Sequence, residues 1–497
     1  MAARGLNRGA GRLAQGWTRV APRFLPFADA ATPELGLGRL LRLSLFQVSV
    51  GLALALLNGT LNRVMIVELA VPAWAVSLLI ALPILAAPAR ALIGHRSDHH
   101  ASALGWRRVP YIWFGSLMQF SGLAILPFAL LVLTGEGNGP SWVGHLGAAL
   151  GFLLLGAGLH TTQTAGLALA TDLAAPAQRP RVVALLYVSL LLGLVVSGTV
   201  LGWLLRDFSP MRLVQVVQGA AVLTMLLNGI ALWKQEARRP RGAPAPEPAL
   251  PFRAAWRAFV AMPRAGRLLW AVGLGTAGFS MQDVLLEAYG GQILGLPVGQ
   301  TSLLTAMTAV GALVAYGFAA RRLQAGADPV RLAAAGALLG VFAFAAVVFA
   351  EPTGVPMLYF GGAVLIGLGG GLFSVSTLAE VMGLDAAGEH HGLALGAWGA
   401  VQATAAGVAI ALGGVLRDAA ATVAAAGWLG PTLAGPATGY SVVYHVEIAL
   451  LFSTLVALGP LARRRRSPGT AIASPAAPAA PASPHAEPGY GLAQFPG

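Results

Sequence analysis

The sequence predicts an all-α polytopic membrane protein, a twelve-helix bundle built as two halves of six (6+6). Three observations lead there. Of 497 residues, 56% are hydrophobic and only 10% are charged, and the mean hydropathy is +0.71. The apolar residues fall in a dozen continuous runs, each near the roughly 20 residues a bilayer-crossing helix needs. The basic residues gather in alternate connections between those runs. A soluble domain carries roughly 25% charged residues. Nineteen acids and thirty-two bases cannot cover a soluble chain of this length, so a soluble globular protein is excluded. The excess of apolar residues also excludes disorder for the bulk of the chain. The runs are continuous rather than alternating, which excludes an outer-membrane barrel.

The elements follow in order. Residues 1–40 are Arg-rich, broken by Gly and Pro, and lack the apolar core of a cleavable signal peptide; they read as a basic cytoplasmic segment. Six spans centred near Leu54, Leu79, Leu123, Leu155, Leu191 and Val222 form a first bundle, 41–233. Residues 234–266 contain ARRPRGAPAPEPALP, a basic, Pro-rich cytoplasmic linker. Six more spans, near Leu274, Val310, Phe342, Leu365, Val401 and Leu451, form a second bundle, 267–463. The Pro/Ala-rich end, 464–497, reads as a disordered cytoplasmic tail.

Orientation follows from the bases. With the N-terminus inside, Arg39, Arg42, Arg107, Arg108, Arg179, Arg181, the linker, Arg321, Arg322, Arg331 and Arg463 to Arg466 share one side. That asymmetry is the positive-inside pattern, and it predicts both termini to be cytoplasmic. The net charge of +13 therefore belongs to a membrane face. No aromatic-interleaved basic patch points to nucleic acid.

The halves carry a weak internal repeat. GAGLHTTQTAGLALATDLA (156–174) aligns with GGGLFSVSTLAEVMGLDAA (369–387) at an offset of about 213, pairing Gly156 with Gly369, Gly158 with Gly371 and Asp172 with Asp385. These segments fall on the fourth and tenth spans. Parallel repeats of that kind are the mark of a major facilitator-like bundle.

Several residues are candidates for chemistry. In the loop after the second span, GHRSDHHASALGWRR, Gly94 permits close helix approach. Asp98 there can cap a helix or pair with Arg107 or Arg108 as a gating clamp, or the whole is a solvated basic loop. Asp283 and Glu287, four apart in the seventh span, are read as sharing one helix face, with Asp283 the deeper and Glu287 nearer the surface. Acids inside a span usually face a cavity or partner, which makes them candidates for proton coupling. Asn58, Asn62 and Arg63 cluster at the end of the first span. Arg63, on the side poor in bases, needs Glu68, an acid of the seventh span, or an anionic ligand. His160, in the fourth span, can ligate the Mg²⁺ of a chlorin through one imidazole nitrogen, or bond to its neighbours as an ordinary buried histidine. Phe373 stands at its repeat-equivalent position. His95, His99, His100, His390 and His391 read as loop residues.

Cysteine is absent, which excludes disulfides, thiolate metal sites and cysteine nucleophiles. No Walker loop, Gly-x-Ser-x-Gly, His-Glu-x-x-His or dinucleotide fingerprint is present, so no catalytic residue and no resident metal is expected.

The strings LGRLLRLSLFQVSVGLALALLNGTLNRVMIVEL (37–69), ALIGHRSDHHASALGWRRVPYIWFGSLMQFSGLAILPFALLVL (91–133), RPRVVALLYVSLLLG (179–193), QDVLLEAYGGQILGL (282–296) and GLALGAWGAVQATAAG (392–407) resemble the PucC/LhaA family. That family is the bacteriochlorophyll-delivery branch of the major facilitator superfamily, and the resemblance spans about 33–463. It implies a light-harvesting complex assembly factor of purple phototrophic bacteria, not an enzyme, in the inner (intracytoplasmic photosynthetic) membrane. The implied cargo is bacteriochlorophyll. The implied partners are light-harvesting antenna polypeptides and the late pigment-biosynthetic machinery. Ala288 stands where the resemblance leads one to expect a proline, which bears on the bend of the seventh span. Tyr111, Trp113, Phe114 and Phe120 either stack on a ring or anchor and pack the third span. The alternative function is a proton-coupled transporter of a tetrapyrrole or small solute.

Overall fold

The computed structural model describes residues 35–85, 106–133, 140–175, 178–236, 264–384 and 391–462. Among the described residues every regular element is helical. The first half holds α1 (Leu37–Glu68), α2 (Ala73–Leu85), α3 (Val109–Leu133), α4 (Ser141–Leu173), α5 (Arg179–Leu204) and α6 (Pro210–Leu232). The second holds α7a (Ala265–Ser280), α7b (Leu285–Gln292), α8 (Val298–Gln324), α9 (Pro329–Thr353), α10 (Pro356–Leu384), α11 (His391–Ala425) and α12 (Ala437–Leu458). All twelve expected centres lie inside these helices. Among the described residues, ten helices are long and apolar enough to cross a membrane. The other two are α2, of 13 residues, and the seventh, which is broken. The chain is a multi-pass membrane protein.

Local sequence sets the ends. Asp328 accepts the N–H of Val330 at 2.9 Å, Pro329 opens α9, and Gly354, with φ of 66°, closes it. Ser209 caps α6 by accepting the N–H of Arg212 at 3.1 Å. Inside the spans several hydroxyls return to their own helix, as Ser116 does to Ile112 O at 2.7 Å, because the apolar interior offers no water to bond.

The helices alternate in direction, so one end of the bundle carries Arg39, Arg107, Arg108, Arg179, Arg321 and Arg331 and is here the basic end. The opposite, far end carries Arg63, Arg206, Arg212 and Arg417. Exposed tryptophans mark both: Trp142, Trp203 and Trp428 at the far end, Trp113, Trp233 and Trp270 at the basic end.

Packing repeats between the halves. α3 packs on α4 as α9 does on α10, α1 on α5 and α6 as α7a does on α11 and α12, and α3 on α6 as α9 does on α12. Across the halves, α2 packs on α11 and α5 on α8. Small residues set these crossings. A Cβ on Gly158 would meet Gly115 O at 2.5 Å, and one on Gly369 would meet Gly336 O at 2.7 Å. Gly156 and Gly367 face α2 and α8, while Gly151 and Gly362 face α3 and α9. These pairs stand 211 residues apart, two fewer than the sequence alignment gives. The shift changes every pairing: Gly156 answers to Gly367 and Gly158 to Gly369, Asp172 falls opposite Gly383 rather than Asp385, and Gly371, rather than Phe373, is the counterpart of His160.

Candidate functional site

The halves are tied together at the far end by a buried polar cluster. It begins in α1, which runs as an α-helix to Ala55 and then makes two wide π turns, Leu56–Thr60 and Val64–Glu68. Such turns displace side chains from regular register and often mark functional sites. Here they set Asn58, Gly59, Thr60, Asn62 and Arg63 against the second half. Thr60 Oγ1 lies 3.2 Å from Ser302 Oγ. Asn62 Nδ2 donates to Asp283 O at 3.2 Å and to Asn58 O at 2.6 Å.

Arg63 is 3% exposed. Its Nη1 donates to Glu68 Oε1 at 2.5 Å and its Nη2 to Leu296 O at 3.0 Å. Of the partners open to it from sequence, the structure supplies Glu68. A Cβ on Gly291 would come within 3.0 Å of the guanidinium, so a glycine leaves that space. The cation thus joins α1 to the connection between α7b and α8.

The seventh span departs from expectation. Its α-helix is interrupted at 281–284, and Asp283 sits in that interruption while Glu287 belongs to α7b. The two acids do not share one uninterrupted helix face. Their exposure differs as well. Glu287 is 4% exposed, whereas Asp283 is half-buried. Glu287 Oε1 accepts from Thr305 Oγ1 at 2.9 Å, and Oε2 has no hydrogen-bond partner. Gly59 of α1 lies directly over that acid. The break falls before Ala288, so no proline is needed to make it.

A second knot sits beside the first. Gln292 Oε1 accepts from Arg417 Nη2 and Tyr440 Oη, both at 2.6 Å, and its Nε2 donates to Ile66 O at 3.3 Å. Arg417 also donates to Asp418 Oδ1 at 2.6 Å and lies 4.6 Å over the Tyr440 ring. Asp418 Oδ2 accepts the N–H of Trp74 at 2.8 Å, linking α11 to the start of α2. Next to this link an open groove of about 780 Å³ runs between α2 and α11, lined by Pro72, Trp74, Val415, Arg417, Thr422 and Ala425 among others.

The basic end is organised separately. Arg107 and Arg108 both bond to Asp172 of α4, Arg108 Nε at 3.1 Å. Glu236, just past α6, accepts the backbone N–H groups of Arg107, Arg108 and Val109 at 2.8 to 3.1 Å and so caps the start of α3. The Arg pair is therefore clamped, with Asp172 and Glu236 as its acids. Gly94 and Asp98 lie outside the described residues, as do His95, His99, His100, His390, Asp385 and the side chain of His391.

His160 is half-buried on α4, one turn after Gly156, whose face meets Pro83 of α2. It belongs to neither end cluster. Trp113 and Phe114 are exposed, as anchors are, while Phe120 and Tyr111 pack against the core. Sequence reading passed over Thr305, Gln292, Arg417 and Glu447. The last two carried a usable signal, a lone charge inside an apolar span.

Known proteins share both sequence and fold. A family model described as PUCC protein matches residues 60–466. A Rhodobacter capsulatus protein named for the puhA-bchM intergenic region is 54% identical over 96% of this chain and 98% of its own. Protein PucC of Rhodovulum sulfidophilum is 56% identical over 80% of this chain and 89% of its own. The crystal structure of a bacterial homolog of the human lysosomal transporter Spinster, inward-facing and unoccupied, superposes with a TM-score of 0.62 at 14% identity, over 88% of this chain and 96% of that one. At that identity the likeness speaks for the fold, a transporter-type bundle of two related halves.

Proposed function

The chain belongs to the PUCC protein family, and from that premise we propose that it is an assembly factor for photosynthetic light-harvesting complexes. In this reading it binds bacteriochlorophyll and delivers it to antenna polypeptides in the intracytoplasmic membrane, with its basic end toward the cytoplasm. It works as a carrier, not as an enzyme. The observation that carries the reading is the family match across nearly the whole membrane part of the chain.

The physical chemistry suits such a task. Bacteriochlorophyll is a large amphiphile with a long apolar tail, and it needs shelter from water and a lateral exit to single-span partners. The groove between α2 and α11 lies at the seam of the two halves, at the far end of the bundle. In our reading it is the exit. His160 is the proposed ligand of the central Mg²⁺. Deleting the protein should lower antenna complex while leaving pigment synthesis intact. An unchanged antenna level would remove the proposal.

A second reading is favoured by one observation: Glu287, buried with an unpartnered oxygen between α1 and α8. A proton-coupled major facilitator transporter of a tetrapyrrole or small solute would use such a group. It predicts pH-gradient-driven flux in proteoliposomes that falls in Glu287→Gln and Asp283→Asn. Absence of flux with every tetrapyrrole tried would dismiss it.

A further inference from the structure

A second buried acid faces the break in the seventh span. Glu447 lies in the middle of α12 and is fully buried. Its Oε1 accepts the backbone N–H of Gln282 at 2.8 Å, and its Oε2 has no partner. The same Gln282 donates through Nε2 to Asp283 Oδ1 at 2.7 Å and to Phe279 O at 3.2 Å. One glutamine thus bridges two carboxyl groups at the point where α7a ends. A single neutral N–H does not compensate an ionised carboxylate in a membrane interior.

Tyr444 sits one helical turn from Glu447 toward the far end. It too is fully buried, and its hydroxyl has no partner. Together with Tyr289, Glu351, Pro352 and Ser441 it lines a cavity of about 130 Å³, room for a few waters. Glu351 and Pro352 are exposed at the far end of α9, so the cavity lies just under that surface. Orphaned oxygen, orphaned hydroxyl and cavity follow one another from Glu447 to the surface.

We propose that Glu447 is a proton-binding site, reached from the far surface through the cavity between Glu351 and Tyr444. A hydronium ion at the surface breaks one O–H bond to become water, a new O–H bond forms on Oε2, and the group passes from negative to neutral. No other bond changes. Asp283 of the seventh span faces Glu447 through Gln282, and the titratable groups along the route are Tyr444 on its own helix, Tyr289, whose ring contacts those of Tyr444, Tyr359 and Tyr440, and Glu351 of α9 at the cavity. Arg417 of α11 is engaged by Asp418, Gln292 and Tyr440. Protonation at Glu447 requires no pigment.

The test is infrared spectroscopy of the purified full chain in lipid films at neutral pH. The wild type should show the C=O stretch of a protonated carboxylic acid that Glu447→Gln lacks. In D₂O that component should shift, and Tyr444→Phe should slow its exchange about tenfold, the effect of about one lost hydrogen bond on a barrier. An undiminished band in Glu447→Gln overturns the site. Exchange as fast in Tyr444→Phe as in the wild type overturns the route. If Glu447→Gln does not purify as folded protein, Glu447→Asp serves instead. It should move the band in frequency, and an unmoved band overturns the assignment.

Discussion

Gly59 lies so close to Glu287 that a Cβ added to it would sit 2.6 Å from the Oε1 oxygen. The same Cβ would stand 2.6 Å from Thr305 Oγ1. The backbone of one half thus covers the buried acid of the other. Gly59→Val forces both polar side chains aside and should cost about 2 kcal/mol, read as a lower melting temperature in detergent. Unchanged melting would mean that the halves do not close over Glu287.

Arg63 joins the halves through its hydrogen bond to Leu296 O, while its ion pair with Glu68 stays within α1. Arg63→Met keeps the bulk but leaves Glu68 and Leu296 O without their donor, and should cost about 2 kcal/mol in thermal unfolding. Arg63→Lys should recover only part of that. An ammonium is a point charge, whereas the guanidinium reaches Glu68 and Leu296 O through separate nitrogens.

At the basic end, Glu236 is the cap of a helix far from it in sequence. Glu236→Ala removes an acceptor of three backbone N–H groups. It should cost about 1 to 2 kcal/mol in the same assay. Asp172→Asn should be milder, because Arg107 and Arg108 remain near the Glu236 charge.

Ala425 is exposed in the groove between α2 and α11. Ala425→Trp fills that groove without entering the core. It should leave melting unchanged and lower the yield of antenna complex in cells. Full antenna yield would place the exit elsewhere.

Much of this was legible beforehand, for definite reasons. Span positions follow from hydropathy, and the ion pair of Arg63 follows from the rule that a charge inside an apolar span must be matched. The break at 281–284 was not legible. SMQDV contains neither proline nor glycine, and the interruption is held by tertiary partners, Asn62 and Glu447. Without the break, Asp283 and Glu287 read as neighbours on one face. The acids of the basic-end clamp were missed for a similar reason. Asp172 and Glu236 lie 64 or more residues from Arg107 and Arg108, and only the fold brings them together. The repeat was visible in its glycines, but its register needed their contacts.

The proposed role rests on the protein carrying pigment. The most direct measurement is the absorption spectrum of the chain purified gently from its own photosynthetic membrane. A pigment carrier should show a chlorin band that co-migrates with the protein and is lost in His160→Leu. A preparation that retains its fold and carries no chlorin would contradict it.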